Sequence, residues 1–254
     1  MKCTPTVKDI FDFIGSIAPF EKQSEWDNSG LLVGDADCEV NKIGVVLDIT
    51  ADAVKYAAEN GIDLIVSHHP VIFRPAKAFL ASDPAYLLAR NGISAICAHT
   101  SLDIAAGGVN DVLAEKLGFE NAAPLSENGE TEMIRVCEIA ETDADSLAKL
   151  VCEKLSACAV TADGGKPIKK VALCGGAGGD FIRDVAAAGC DAYITGEAKH
   201  HEFLEAAQIG ITLIAAGHFE TENPVVAALA DNIRKIFDCD VEIIPQQSPV
   251  KYIF

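Results

Sequence analysis

Short apolar runs in this chain stop at small or polar residues, and stretches with helical spacing follow them. The runs are Ile43–Leu47, Leu64–Ser67, Ala95–Ala98, Lys170–Leu173, Asp191–Ile194 and Thr212–Ala215. Helical patterns lie over Ala51–Asn60, Pro84–Asn91 and Val109–Leu117, the last closed by Gly118. Parallel strands need a crossover of a dozen or more residues, usually a helix. The alternation therefore predicts an α/β fold of βα units with mainly parallel or mixed sheet. An opening helix from Val7 with Thr6 as N-cap, a helix over Asp143–Leu155 and a last helix over Pro224–Phe237 fit the same scheme. So do strands at Met133–Ile139 and Val241–Ile244. The polar stretch Asn121–Thr131, with Pro124, Asn128 and Gly129, predicts a domain boundary. That gives one α/β domain over 1–125, completed by roughly 216–254, and a second over 126–215.

Half of the 254 residues are hydrophobic, enough to bury a core. The balance of 38 acidic against 20 basic residues gives a formal charge of −18. Such a field repels nucleic acid and anionic membrane surfaces. It would also repel a phosphorylated substrate unless bound cations reverse the sign locally. No run of 18 apolar residues occurs and Met1-Lys2-Cys3-Thr4-Pro5 is no signal peptide, so a cytoplasmic location with no membrane partner is expected. Nine scattered cysteines, without a Cys-x-x-Cys pair, read as buried reduced thiols.

The apolar runs end in LDIT, VSHH, AHTSLD, LCGG, TGE and AGH. In open α/β sheets the ligand crevice lies beyond the carboxyl ends of the strands, and four of the six histidines sit at such ends. In Ser67-His68-His69-Pro70, strand alternation predicts diverging rings, one for each of two metal ions. Asp103 could bridge two cations about 3.5–4 Å apart, or cap the turn into Gly107-Gly108. With Asn223 as N-cap and Pro224 at the first helical position, His218 and Glu222 are expected in the loop before the last helix. The candidate metal ligands are thus His68, His69, Asp103, His218 and Glu222. Three imidazoles and two carboxylates suit zinc, manganese or iron better than calcium or magnesium. Five ligands shared by two ions leave positions open for water, as catalytic sites do. Glu197 and His99 are the candidate acid–base residues; His99 could equally be a partner of a ligand or a buried structural histidine. His200 and His201 run into the helix after Glu197, where at most one can share its face. Gly175-Gly176-Ala177-Gly178-Gly179 lacks the Lys-Ser/Thr of a P-loop and reads as a tight turn before a helix.

Several of these segments resemble the signatures of the Nif-three-like dinuclear metal proteins, the GTP cyclohydrolase I type 2 homologues. They are His68-His69-Pro70, His99–Asp103 running into Gly107-Gly108-Val109-Asn110-Asp111, and Gly217-His218 with Glu222. Trp26-Asp27-Asn28-Ser29-Gly30-Leu31 and Thr195-Gly196-Glu197 also resemble family motifs, so the likeness runs over nearly the whole chain. It implies two α/β domains with two divalent transition metals near their interface, held by the same five residues. It also implies a toroidal homohexamer whose sites face an internal cavity. The chain is too short for the inserted domain of longer members. The implied activity is a dinuclear metal-dependent hydrolase that activates a bridging water against a small nucleotide-like substrate such as GTP. Arg74, Lys77 and Lys199 are the nearby cations that could meet phosphate, although as exposed charges they equally serve solubility. The alternative is a non-catalytic metal-binding hexameric scaffold, metal chaperone or regulatory interaction protein.

Overall fold

The structure, a computed structural model, describes residues 4–127 and 129–251; Cys3 and Asn128 lie outside the described residues. The chain forms two compact units. The first takes the residues up to Ala106 together with Val225–Gln247, and the second takes Gly107–Pro224 with the tail from Ser248.

The first unit holds a five-stranded sheet in the order Gly30–Val33, Ser94–Cys97, Leu64–Ser67, Lys42–Val46, Asp240–Ile243. All neighbours are parallel except Gly30–Val33, which runs antiparallel to Ser94–Cys97. In register, Val46 pairs with Ser67 and Ser67 with Cys97, so three parallel strands end at one level. The crossover helices Ala51–Glu59 and Pro84–Asn91 pack Val54, Ala57 and Leu88 against Val46, Ile65 and Ala95. The opening helix is Val7–Ile17. As expected, Thr6 caps it, and Asp9 returns a bond to the Thr6 backbone, satisfying two end groups at once.

The second unit holds a six-stranded sheet in the order Ala123–Pro124, Arg135–Thr142, Ile168–Cys174, Ala192–Thr195, Thr212–Ala215, Val160–Ala162. Its three central strands are parallel and end in register at Cys174, Thr195 and Ala215; the outer pairs are antiparallel. The Val109–Leu117 helix buries Leu113 and Leu117 with Val171, Leu173, Ile194 and Ile214. That packing puts residues 107–125 with the second unit, and the polar stretch chosen as a boundary supplies the exposed edge strand Ala123–Pro124. Gly30–Val33 and Val160–Ala162 went unforeseen because edge strands are only half covered and lack a long apolar run.

Residues Gly107–Asp111 brace this unit. Asn110 is fully buried and its Oδ1 accepts the Gly175 N–H at 2.7 Å. Asp111 accepts from Gly107 N–H and from the Nε of Arg135, a guanidinium only 1% exposed. A buried cation survives in a core only when paired in this way. Of the described cysteines, Cys97, Cys137, Cys174 and Cys190 are buried, and none is in a disulfide. Burial pushes the Cys137 thiol up to about 11, so it behaves as a small hydrophobe. Among the described residues no helix is long and apolar enough to cross a membrane.

Candidate metal centre

In the first unit the carboxyl ends of three parallel strands deliver Asp48, His68 with His69, and His99 to one place. The backbone carries the ladder slightly past the strands, with His69 N–H donating to Leu47 O at 2.9 Å and Ala98 N–H to Ser67 O at 3.0 Å. The rings of His68 and His69 do not diverge as strand alternation predicts. The strand stops at Ser67, whose hydroxyl donates to His69 O at 2.8 Å, and this bend turns both rings to one side, 4.9 Å apart. His99 joins them, its ring 5.2 Å from His68 and 5.5 Å from His69. One nitrogen from each of the three lies within 4.8 Å of the others, a spacing one ion can span.

Each ring has its Nδ1 engaged. His68 Nδ1 lies 3.0 Å from Ala98 O, His69 Nδ1 2.8 Å from Asp48 Oδ1, and His99 Nδ1 2.8 Å from Asp27 Oδ1. An imidazole that donates through Nδ1 keeps the Nε2 lone pair for a metal, and a carboxylate or carbonyl partner fixes the ring. Asp27 is the most fully engaged of these partners. Burial raises its pKa, but hydrogen bonds from His99 and Thr100 and the backbone of Asn28 outweigh that and hold the carboxyl well below its usual range. Asp103 lies inside the one-turn helix Thr100–Ile104, with Oδ1 3.6 Å from His68 Nε2. Its N–H bonds to His99 O, so the same turn places both residues.

In the second unit the expectation of a loop at His218–Glu222 is corrected. These residues form a one-turn helix, with His218 Nε2 3.0 Å from Glu222 Oε2 at i,i+4. Gly217, at φ 96°, lets the chain turn sharply off the Thr212–Ala215 strand. Thr221 Oγ1 then donates back into the turn and accepts Gly176 N–H at 3.1 Å. Asn223 is in right-handed helical conformation where the chain passes to the Pro224–Ile236 helix, so it is no N-cap. Glu197 Oε2 lies 3.4 Å from His218 Nδ1, on the side of the ring away from Glu222.

The Gly175–Gly179 segment is tight because side chains occupy the space its own would need. A Cβ on Gly176 would stand 2.1 Å from Glu222 Oε1, and one on Gly179 2.1 Å from Glu202 Oε2. The segment leads into the short turn Gly179–Phe181 and the helix Ile182–Ala187. A cavity of about 460 Å³ opens beside it, lined among others by Ala177, Glu197, Lys199, Phe203 and His218. Lys199 Nζ is held by Asp180 at 3.1 Å and Glu202 at 3.2 Å. His200 and His201 begin the His200–Ile209 helix, and both are exposed.

Residues 5–249 match the family described as Duf34/NIF3 (NGG1p interacting factor 3). The chain belongs to the Duf34/NIF3 family. Among its relatives, "GTP cyclohydrolase 1 type 2 homolog" of Clostridium perfringens is 33% identical over 94% of this chain and 95% of that one. "GTP cyclohydrolase 1 type 2" of Helicobacter pylori is 32% identical over 97% and 99%. Among solved structures, reduced HcgD from Methanocaldococcus jannaschii superposes with a TM-score of 0.83 at 29% identity, over 94% of this chain and 98% of that one. A Staphylococcus aureus hypothetical protein gives 0.89 at 25%, over 98% and 99%. In this Duf34/NIF3 chain Asp27 and Asp48 orient rings, a role not among the sequence-based expectations. Asp27 lies within Trp26–Leu31 and Asp48 within the LDIT strand end, and that placement is the signal the sequence offers.

Proposed function

We propose that this protein is a metal-dependent hydrolase in which His68, His69, Asp103, His218 and Glu222 hold two divalent transition-metal ions, zinc, manganese or iron. The observation that carries the reading is the Nδ1 pattern: His68 spends that nitrogen on a carbonyl and His69 on a carboxylate, and both keep Nε2 for a ligand. In the His218–Glu222 turn the Nδ1 of His218 faces Glu197, and its Nε2 faces Glu222, the other proposed donor of that turn. This mixed donor set fits transition metals. When bound, the ions would supply Lewis-acid polarisation and lower the pKa of a nearby water.

The chain's own groups do the rest. His99 moves a proton at Nε2, and the ionised Asp27 stabilises its charged form. Glu197 steadies the His218 ring and faces the cavity as a carboxylate that a substrate would meet. The names of the relatives make a small nucleotide, GTP first, the substrate to test. A homohexamer in the cytoplasm is the proposed setting. A second reading, a non-catalytic metal-binding scaffold or chaperone, draws support from the neutralised Lys199 and from the glycine segment, whose space side chains already fill.

The test is metal content per chain by elemental analysis, beside GTP turnover with and without added metal. Two equivalents in the parent, loss in a His69→Ala, Glu222→Ala double variant, and turnover abolished in Asp103→Ala are expected. His99→Gln should keep its metal and lose turnover. Metal without turnover would leave the scaffold, and substoichiometric metal unchanged by the substitutions would remove both readings.

A further inference from the structure

Two large aromatic side chains are left in water beside the imidazole cluster. Trp26, the only tryptophan, is 54% exposed and Phe73 is 43% exposed. Their rings lie 5.9 Å apart, and each packs edge-on to His99, at 5.9 Å and 6.1 Å. The three rings therefore make a corner, tilted to one another by 53° to 76°.

This corner is held from both sides. Asp27 ties the segment after Trp26 to His99 and to Thr100. Asn28 Nδ2 donates to the carbonyl of Ile72, the residue before Phe73. Holding the backbone beside both rings in advance lowers the ordering cost a ligand would otherwise meet. Exposed aromatic area beside a polar donor set is the composition of a small-molecule site, in which apolar rings carry the body and a few polar groups orient it. The exposed stretch after Phe73 carries Arg74 and Lys77, an island of positive charge on a chain of net −18.

We infer that Trp26 and Phe73 are a stacking platform for a planar heteroaromatic ring that carries an anionic tail. The inference rests on the metal-centre reading and names the residues that would seat the ring of that site's substrate. Stacking on aromatic side chains suits any base, because every base presents a π-face. The platform therefore selects for the ring system, while the polar groups beyond it select among rings.

The single tryptophan makes the test direct, because all intrinsic indole fluorescence comes from Trp26. Guanosine 5′-monophosphate, titrated into the full chain as purified with inner-filter correction, should quench it saturably. Ribose 5-phosphate, with the tail and no ring, should not. Phe73→Ala should weaken the quenching about tenfold or more. By calorimetry, Trp26→Ala should lose the ligand and Trp26→Phe should keep it. Metal content measured on the same samples should be equal in all variants. Equal response to the two ligands, or alanine variants that bind like the parent, would overturn the platform. A change in sedimentation of Trp26→Ala with unchanged affinity would also overturn it and make the patch a contact between copies. Missing metal in the parent would count against the metal centre, and the titration would still score the platform, since it needs no turnover.

Discussion

Asp48 and Asp27 show how much of a candidate metal site can rest on residues outside its donor set. Asp48 is half in water, yet its Oδ1 sets the tautomer and the angle of His69. Removing such a partner typically costs about 10–100-fold in metal affinity. Asp48→Ala should therefore lower metal affinity by that factor and leave the fold intact, as competition with a chromogenic chelator would measure. A second residue-scale effect concerns acid. A hydrogen bond from Lys42, then one from Tyr56, lowers the pKa of Glu242. A carboxylate with a lowered folded-state pKa adds stability that is present above its unfolded value, near pH 4, and lost as pH falls through the folded one. Glu242→Gln should be less stable than the parent at neutral pH, and the gap should close in acid; denaturant midpoints between pH 7 and 3 would show it. A gap that stays constant would rule the linkage out.

At the scale of elements, one turn of helix and one glycine segment explain each other. The His218–Glu222 turn holds because Thr221 hydrogen-bonds both within the turn and to Gly176. The turn also needs the glycines opposite it to have no side chains. A Cβ on Gly196 would come within 2.6 Å of Gly176 O and 2.9 Å of His218 Cα, and backbone cannot step aside as a flexible side chain can. Overpacking of this kind costs about 1–3 kcal/mol. Gly196→Ala should lower the melting temperature by several degrees and take metal binding down with it. A variant as stable and as metal-rich as the parent would show that the turn tolerates displacement. The glycines thus serve close packing, in keeping with the tight turn that their spacing predicts in place of a phosphate loop.

For the molecule as a whole, bound metal should act as a stabiliser. A ligand that binds only the native state at 100 times its Kd adds about 2.7 kcal/mol. In a chain of this length each kcal/mol moves the melting temperature by about 2–4 °C. Stripping the protein with a chelator should therefore lower its melting temperature by about 5–10 °C. Adding back metal should restore it, and a His69→Ala, Glu222→Ala variant should not respond. A melt indifferent to chelator in the parent would argue that metal and fold are uncoupled.

Local physics was enough to read most elements from the chain. Parallel strands such as Leu64–Ser67 are buried on both faces, so they appear as unbroken apolar runs. Helix starts such as Thr6 carry their own caps. The polar residues just past those runs marked the candidate donors, because strand ends are where such sheets present chemistry. Other features depended on partners far along the chain. Asp27 reaches His99 across 72 residues and Asp48 reaches His69 across 21, and no local pattern carries such pairings. The direction of the His68 and His69 rings, the helical turn at His218 and the need for glycine at 176 and 196 belong to the same class. Sequence alone determined which donors exist and at which strand ends. Tertiary packing decided where each ring points, because a ring's orientation is set by the hydrogen bond on its far nitrogen and by the space its neighbours leave.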